Sequence, residues 1–281
     1  MSAEDFSDAV LVLLGHGSTV NAESGAPVCL QAAELRRRKC FAEVREAFWR
    51  QAPQVKQVLS ELTAARVFVV PLFISQGYFS EATIPGELGF GGGGPGQFSR
   101  VQQRGAQKLF YCKPLGTHDR MTSVLLARAR EIVEKFPFPR PPKPEDTTLF
   151  IAGHGTEQNL NSRKAIERQA DLIRALGLYA GVHGVFLEEE PRIGECYQMA
   201  QTRNMVIVPF FISDGMHARE DIPVLLGEAE RVVQQRLQRG LPTWRNPTER
   251  KGKLVWYASS VGSEPQLAEV ILDLVREAAG G

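Results

Sequence analysis

Two histidines, His154 and His217, stand in segments whose residue types suit metal or proton chemistry. They are Ala-Gly-His-Gly-Thr (152–156) and Asp-Gly-Met-His-Ala-Arg-Glu-Asp-Ile-Pro (214–223). A shift of 138 positions lays both frames on the first half of the chain. Leu-Gly-His-Gly-Ser (14–18) keeps a histidine, His16, whereas Gln-Gly-Tyr-Phe-Ser-Glu-Ala-Thr-Ile-Pro (76–85) has Phe79 in place of His217. One copy retains a pair of imidazoles and the other has lost half of it. Two neutral imidazoles at one crevice can hold a divalent first-row metal with positions left open for water or substrate. Glu188, in Phe-Leu-Glu-Glu-Glu-Pro (186–191), is a third candidate, and its counterpart is Arg50, a reversal of charge. Its carboxylate could complete a metal site or accept a proton. Glu189 and Glu190 are expected to begin the helix after Pro191.

The elements that must position these groups follow from the repeat. Phe48 and Pro53 match Phe186 and Pro191, Val70-Pro71 matches Val208-Pro209, and Ile84-Pro85 matches Ile222-Pro223 without a gap. Beyond them the offset grows to 146, pairing Tyr111 with Tyr257. A match over so long a stretch points to an internal duplication. Short apolar, β-branched runs (Val10–Leu14, Phe68–Phe73, Leu109–Tyr111, Leu149–Ala152, Val182–Leu187, Met205–Ile212, Leu254–Tyr257) predict buried parallel strands. Amphipathic stretches such as Ser162–Leu176 and Pro265–Ala278 predict helices between and after them. The expected fold class is α/β, with two tandem similar domains, each a doubly wound parallel sheet flanked by helices. The first copy is expected over 1–138, a Pro-rich linker over 139–147, and the second, catalytic copy over 148–281. Ligands of such sheets bind beyond the carboxyl ends of the strands, where His154 and His217 both fall.

Bulk properties exclude several classes. The 281 residues suffice for two cores. A formal net charge of +1 gives no argument for nucleic acid or a membrane surface as partner. The first apolar run is too short for a signal or a span, and Cys29, Cys40, Cys112 and Cys196 form no CxxC pair. Free, mostly buried thiols in the cytoplasm are the expectation. The Gly-rich loop 89–96 follows no strand and is no dinucleotide fingerprint; a loop is expected there. Arg36-Arg37-Arg38-Lys39 is expected to be a solvated helix end, His118 a surface or helix-start residue, and His183 structural.

Together Gly153-His154-Gly155-Thr156, Phe186-Leu187-Glu188, Val208-Pro209-Phe210-Phe211-Ile212, and Gly215-Met216-His217 through Asp221-Ile222-Pro223 form a specific set. In these motifs, matched twice along the chain, it resembles the class II tetrapyrrole chelatases, in particular the double-length sirohydrochlorin cobalto- and ferrochelatases. The resemblance implies insertion of a divalent metal into a carboxylate-bearing tetrapyrrole without ATP or an organic cofactor. Cobalt is favoured as the metal substrate, with iron and nickel close behind. His154 and His217 would hold the metal, and one of them or Glu188 would accept the pyrrole protons. Both roles need neutral imidazole, so activity is expected to fall below about pH 6.5. The expected molecule is a monomer whose two halves form one cleft, the first half supplying a wall. There Phe79 and Tyr78 could pack on the macrocycle and Arg50 could pair with a peripheral carboxylate, with His16 nearby; the alternative is a first copy decayed into scaffold. Two rival readings are a non-catalytic carrier of metal or tetrapyrrole and a regulatory protein on the same fold.

Overall fold

The structure is a computed structural model that describes residues 5–19, 22–91, 97–156 and 160–280. Most of the Gly-rich run, 92–96, lies outside the described residues.

The chain forms two five-stranded sheets of the same design. The first joins β1 (Phe6–Gly15), β2 (Phe41–Phe48), β3 (Arg66–Pro71), β4 (Val101–Arg104) and β5 (Gln107–Tyr111) in the order β2-β1-β3-β5-β4. Between these strands lie helices α1 (Ala26–Arg38), α2 (Val55–Glu61) and α3 (Ile84–Glu87), and α4 (Met121–Lys135) follows them. The second sheet joins β6 (Thr147–Gly153), β7 (Gly181–Phe186), β8 (Asn204–Pro209), β9 (Thr248–Arg250) and β10 (Lys253–Tyr257) in the order β7-β6-β8-β10-β9. Between its strands lie α5 (Leu160–Ala175), α6 (Cys196–Met199), α7 (Ile222–Leu225) and α8 (Glu230–Gln238), and α9 (Leu267–Gly280) follows them. All pairings are parallel except β4 with β5 and β9 with β10. The α/β class with two similar, mostly parallel sheets is thus as expected.

The strands absent from the expectation share one property. β2 reads Phe-Ala-Glu-Val-Arg-Glu-Ala-Phe, and exposed Glu43 with half-buried Arg45 and Glu46 break up its apolar residues, so no apolar run marks it. β4 and β9 are short, polar and half-exposed, as edge strands commonly are. The central strands β1, β3, β6 and β8 are buried along nearly their whole length and carry the two cores.

The compact units cut across the expected boundaries 1–138 and 148–281. One unit comprises Met1–His118 with Pro265–Gly281, and the other Asp119–Glu264. Helix α4 follows the first sheet but packs on β8, β10 and α5. Helix α9 follows the second sheet but packs on β3, β5 and α1. Its buried face, Leu267, Val270, Ile271, Leu274 and Val275, is the predicted stripe. Each unit therefore takes its last helix from the other half of the sequence. The Arg36–Lys39 cluster shares in this arrangement. Arg38 pairs with Glu34 and with Glu269 on α9, while Arg36 bonds Glu46 and the Val44 carbonyl. Arg36, Arg37 and Lys39 are exposed, as expected of a solvated helix end, while Arg38 is half-buried and Arg36 and Arg38 also act as tethers. The proline-rich stretch belongs to the second unit, where the Phe136 carbonyl accepts a hydrogen bond from the Trp256 indole at 2.8 Å.

All four cysteines are free; Cys112 and Cys196 are buried and Cys29 is exposed. Among the described residues no helix is long and apolar enough to cross a membrane.

Candidate active site

The second sheet brings three side chains to one edge by register. β6 pairs with β8 up to Ala152 and Pro209, and with β7 up to Gly153 and Phe186. Each chain then leaves its strand on the same side. His154 follows β6, Glu188 follows β7, and His217 comes after β8 on the loop that opens the next helix. β6 lies between strands that connect in opposite directions, so this is the switch point of the sheet, where the crevice must open.

Local chemistry shapes each position. Gly155 has φ +59°, and a Cβ there would lie 2.6 Å from Glu189 Oε1 and 2.7 Å from Phe186 Cβ. A Cβ on Gly153 would lie 2.0 Å from Ile166 Cδ1 on α5, so this glycine admits the protein's own core. The Leu187 and Glu188 amides both donate to the His154 carbonyl, at 3.0 and 3.2 Å, which ties the β7 exit to the histidine. His217 opens a single π-type turn, His217–Asp221, before α7. That turn is held from below: the hydroxyl of buried Tyr257 donates to the Ala218 carbonyl at 2.7 Å. Burial pushes this phenol's pKa far up, so it stays a neutral donor. Tyr111 does the same in the first unit, donating to Ser80 at 2.9 Å.

The His154 and His217 rings meet edge to face, centroids 5.0 Å apart at 90°. His154 Nε2 lies 3.6 Å from Glu188 Oε1. That separation is close to the roughly 3.4 Å expected between two ligands on one tetrahedral first-row ion. His154 Nδ1 faces the Gly155 carbonyl at 3.1 Å, and a carbonyl only accepts, so Nδ1 carries the proton and Nε2 the lone pair. His217 Nδ1 lies 2.6 Å from Asp221 Oδ2, four residues on. An ionised Asp221 makes Nδ1–H the donor and leaves Nε2 of His217 open as well. Both imidazoles are about two-fifths exposed, at 39% of the side chain, so solutes reach them.

Sequence reasoning missed Asp221, which it read only as part of a helix start. The signal was present as the i,i+4 spacing of His217 and Asp221, which puts both on one face of a turn. It also placed Glu189 and Glu190 at a helix start. Glu189 instead turns back beside Gly155 and pairs with Arg163 at 3.4 Å, and the acid that caps the following turn is Glu195, bonded to the Arg192 amide at 2.6 Å. Among the described residues no group of three or more His, Cys, Asp or Glu side chains is placed to hold a metal ion.

In the first unit the same strand ends carry other chemistry. His16 keeps its bond to the next-residue carbonyl, Nδ1 to Gly17 O at 2.8 Å. Its ring is met edge-on by Trp49, Phe73 and Phe79, at centroid distances of 5.4, 6.5 and 5.7 Å. Arg50 lies over Trp49, its guanidinium carbon 4.1 Å from the ring centre. Tyr78 is 71% exposed. His118 Nε2 lies 3.3 Å from Glu277 within the first unit, and His183 stacks on Phe150, its pKa lowered chiefly by burial.

The model of the CbiX family matches the chain twice, over residues 10–132 and 148–278. A relative from Halobacterium salinarum described as a probable sirohydrochlorin cobaltochelatase is 37% identical over 278 residues, covering 95% of this chain and 91% of that one. A Methanopyrus kandleri sirohydrochlorin cobaltochelatase is 28% identical over 152 residues, which cover 47% of this chain but 96% of that protein. Among solved structures, a multi-domain Deinococcus radiodurans protein described as similar to chelatases, with two additional domains, superposes with TM-score 0.75 and 31% identity. The match covers 96% of this chain, which spans 54% of that longer protein.

Proposed function

This chain belongs to the CbiX family, and on that footing we propose that it is a sirohydrochlorin cobaltochelatase, a lyase by class. It inserts a divalent metal into sirohydrochlorin, releasing the two N–H protons of the macrocycle as its four ring nitrogens bind the ion. The observation that carries the reading is the convergence of His154, His217 and Glu188 at the ends of three adjacent strands, with the two imidazoles 5.0 Å apart. Metal and tetrapyrrole are both substrates.

His154 and His217 offer Nε2 lone pairs to the incoming ion, each with its Nδ1 proton anchored by an acceptor. Glu188 is more exposed, at 55% of its side chain, and serves as the proton acceptor or as a third, transient ligand. An incomplete ligand set suits the task. A closed cage of three or four protein ligands would hold the ion against transfer, whereas two imidazoles leave positions for the macrocycle nitrogens. Cobalt is the metal we assign, in line with the names of the two relatives; iron and nickel suit the same donors and compete with it. The four free thiols fit the reducing cytoplasm, where we place the reaction.

The test is purified protein with sirohydrochlorin and Co²⁺, Fe²⁺ or Ni²⁺, followed by absorbance. Metal insertion above the non-enzymatic background is expected, fastest with cobalt. No excess rate with any metal overturns the assignment, and full activity in His217→Ala overturns the site.

A further inference from the structure

The proline-rich stretch after α4 does more than connect the copies. Pro142 and Pro144 form one wall of a hollow of about 260 Å³ in the second unit, with Leu126, Ala129 and Val133 of α4 and Leu178 forming the others. Thr147, the first residue of β6, also lines it, whereas His154 follows the last. At about 3.3 Å per residue the hollow lies roughly 20 Å from that histidine, toward the opposite end of the sheet.

The internal repeat explains how the hollow arises. In the first unit the corresponding corner holds three buried phenylalanines: Phe6 stacks on Phe41 at 5.6 Å and meets Phe68 edge-on at 5.5 Å. The 138-residue offset puts Pro144, Tyr179 and Val206 in their places, and all three line the hollow. Two rings are lost, and the third has gained a hydroxyl. Trp256, which replaces Phe110 at the offset of 146, turns its indole to the Phe136 carbonyl instead of filling the space. The charges change as well. Arg276 of the first unit bonds Asp273 at 2.7 Å, but its counterpart on α4 is Arg130, with Ala127 where Asp273 stands. Arg130 lines the hollow and has no carboxylate partner among the described residues. It lies near Tyr179: burial pushes that phenol's pKa up, and the guanidinium opposes the rise. The Tyr179 hydroxyl has no acceptor among the described residues either. Two donors without an acceptor, beside an otherwise apolar hollow, suit an acid with an apolar body.

We propose that this hollow is a non-catalytic binding site, separate from the histidines, which takes a small molecule with an apolar body and one carboxylate. The body occupies the space that Phe6 and Phe68 fill in the first unit, and the carboxylate accepts hydrogen bonds from the Arg130 guanidinium and the Tyr179 hydroxyl. Pockets for drug-sized ligands span about 300–1,000 Å³. At about 260 Å³ this one admits a single ring or a short branched chain and excludes a tetrapyrrole. Glu134, one helical turn beyond Arg130, lines the same hollow without pairing with it, and would meet an ammonium group carried beside the carboxylate. The site does not depend on the chelatase assignment.

Titration of the full chain with 3-phenylpropionate, followed by ligand-observed NMR, tests it. A Kd of about 1 mM or tighter is expected for a ligand of this size. Arg130→Gln should raise the Kd roughly tenfold by removing the charge-assisted pair, and Tyr179→Phe roughly threefold. Val206→Phe, which restores a ring of the first unit, should abolish binding by filling the hollow. Circular dichroism checks that each variant folds, and exposed Arg130→Gln should leave cobalt insertion unchanged. Phenylalanine, which adds an ammonium, identifies the source. Tighter binding than 3-phenylpropionate, lost in Glu134→Gln, assigns an amino acid; weaker binding assigns a simple acid. If neither probe binds at about 10 mM, or if folded Arg130→Gln binds 3-phenylpropionate within about twofold of wild type, the site is refuted.

Discussion

Asp221 offers the sharpest test of how the site works, because its effect on catalysis and its effect on stability separate. Its carboxylate lies 2.6 Å from His217 Nδ1, and the two side chains are 43% and 39% exposed. Holding the proton on Nδ1 keeps the Nε2 lone pair directed outward, and the charge raises the imidazole's strength as a ligand. Losing such an outer partner typically costs 10- to 100-fold in metal affinity or activity. Solvent screening at this exposure favours the lower end, so Asp221→Ala should reduce kcat/KM roughly tenfold, about 1.4 kcal/mol of transition-state stabilisation. Asp221→Asn should lose at least as much. Its amide can donate as readily as accept, so it no longer specifies which ring nitrogen is protonated. As a partly exposed i,i+4 pair the contact contributes only about 0.5 kcal/mol to folding. Initial rates of cobalt insertion, read by absorbance, give the first number, and chemical denaturation gives the second. A kcat/KM for either variant within about twofold of wild type would refute the positioning role. An activity loss matched by an equal loss of stability would refute it too.

Tyr257→Phe removes the donor to Ala218 beneath the His217 turn and should cost about 1–2 kcal/mol in chemical denaturation, with slower metal insertion. Gly155→Ala combines a positive φ with contacts of 2.6 and 2.7 Å to Glu189 and Phe186; about 2–3 kcal/mol of destabilisation is expected from the same measurement. His154→Ala should lower metal insertion by roughly 100-fold, whether the ring serves as ligand or base, and a loss below about threefold would remove it from the site. Thiol titration of the native protein at pH 8 should modify exposed Cys29 and spare Cys112 and Cys196. Burial pushes both of those thiols up to about 12, so at that pH they are almost wholly protonated, and they should react only on unfolding.

The internal repeat was legible in the sequence because it is a matter of spacing, and so were the switch-point histidines. Gly-His-Gly after a β-branched run places a side chain at a strand's carboxyl end whatever surrounds it, and register then brings His154, Glu188 and His217 together. The apolar stripe of α9 was equally plain, since helical period is local. What that stripe covers was not. Two similar sheets offer a terminal helix two similar faces, so only the packing of the whole chain decided that α4 and α9 would each join the other unit. Strands β2, β4 and β9 escaped notice because their positions at or near the edge permit polar residues. Asp221 looked like an ordinary helix start until the π-type turn aimed its carboxylate at His217. The aromatic row around His16 came from residues tens of positions apart. Spacing along the chain determines which face a residue shares, but distant partners are chosen by competition among buried surfaces, and that is settled only in three dimensions.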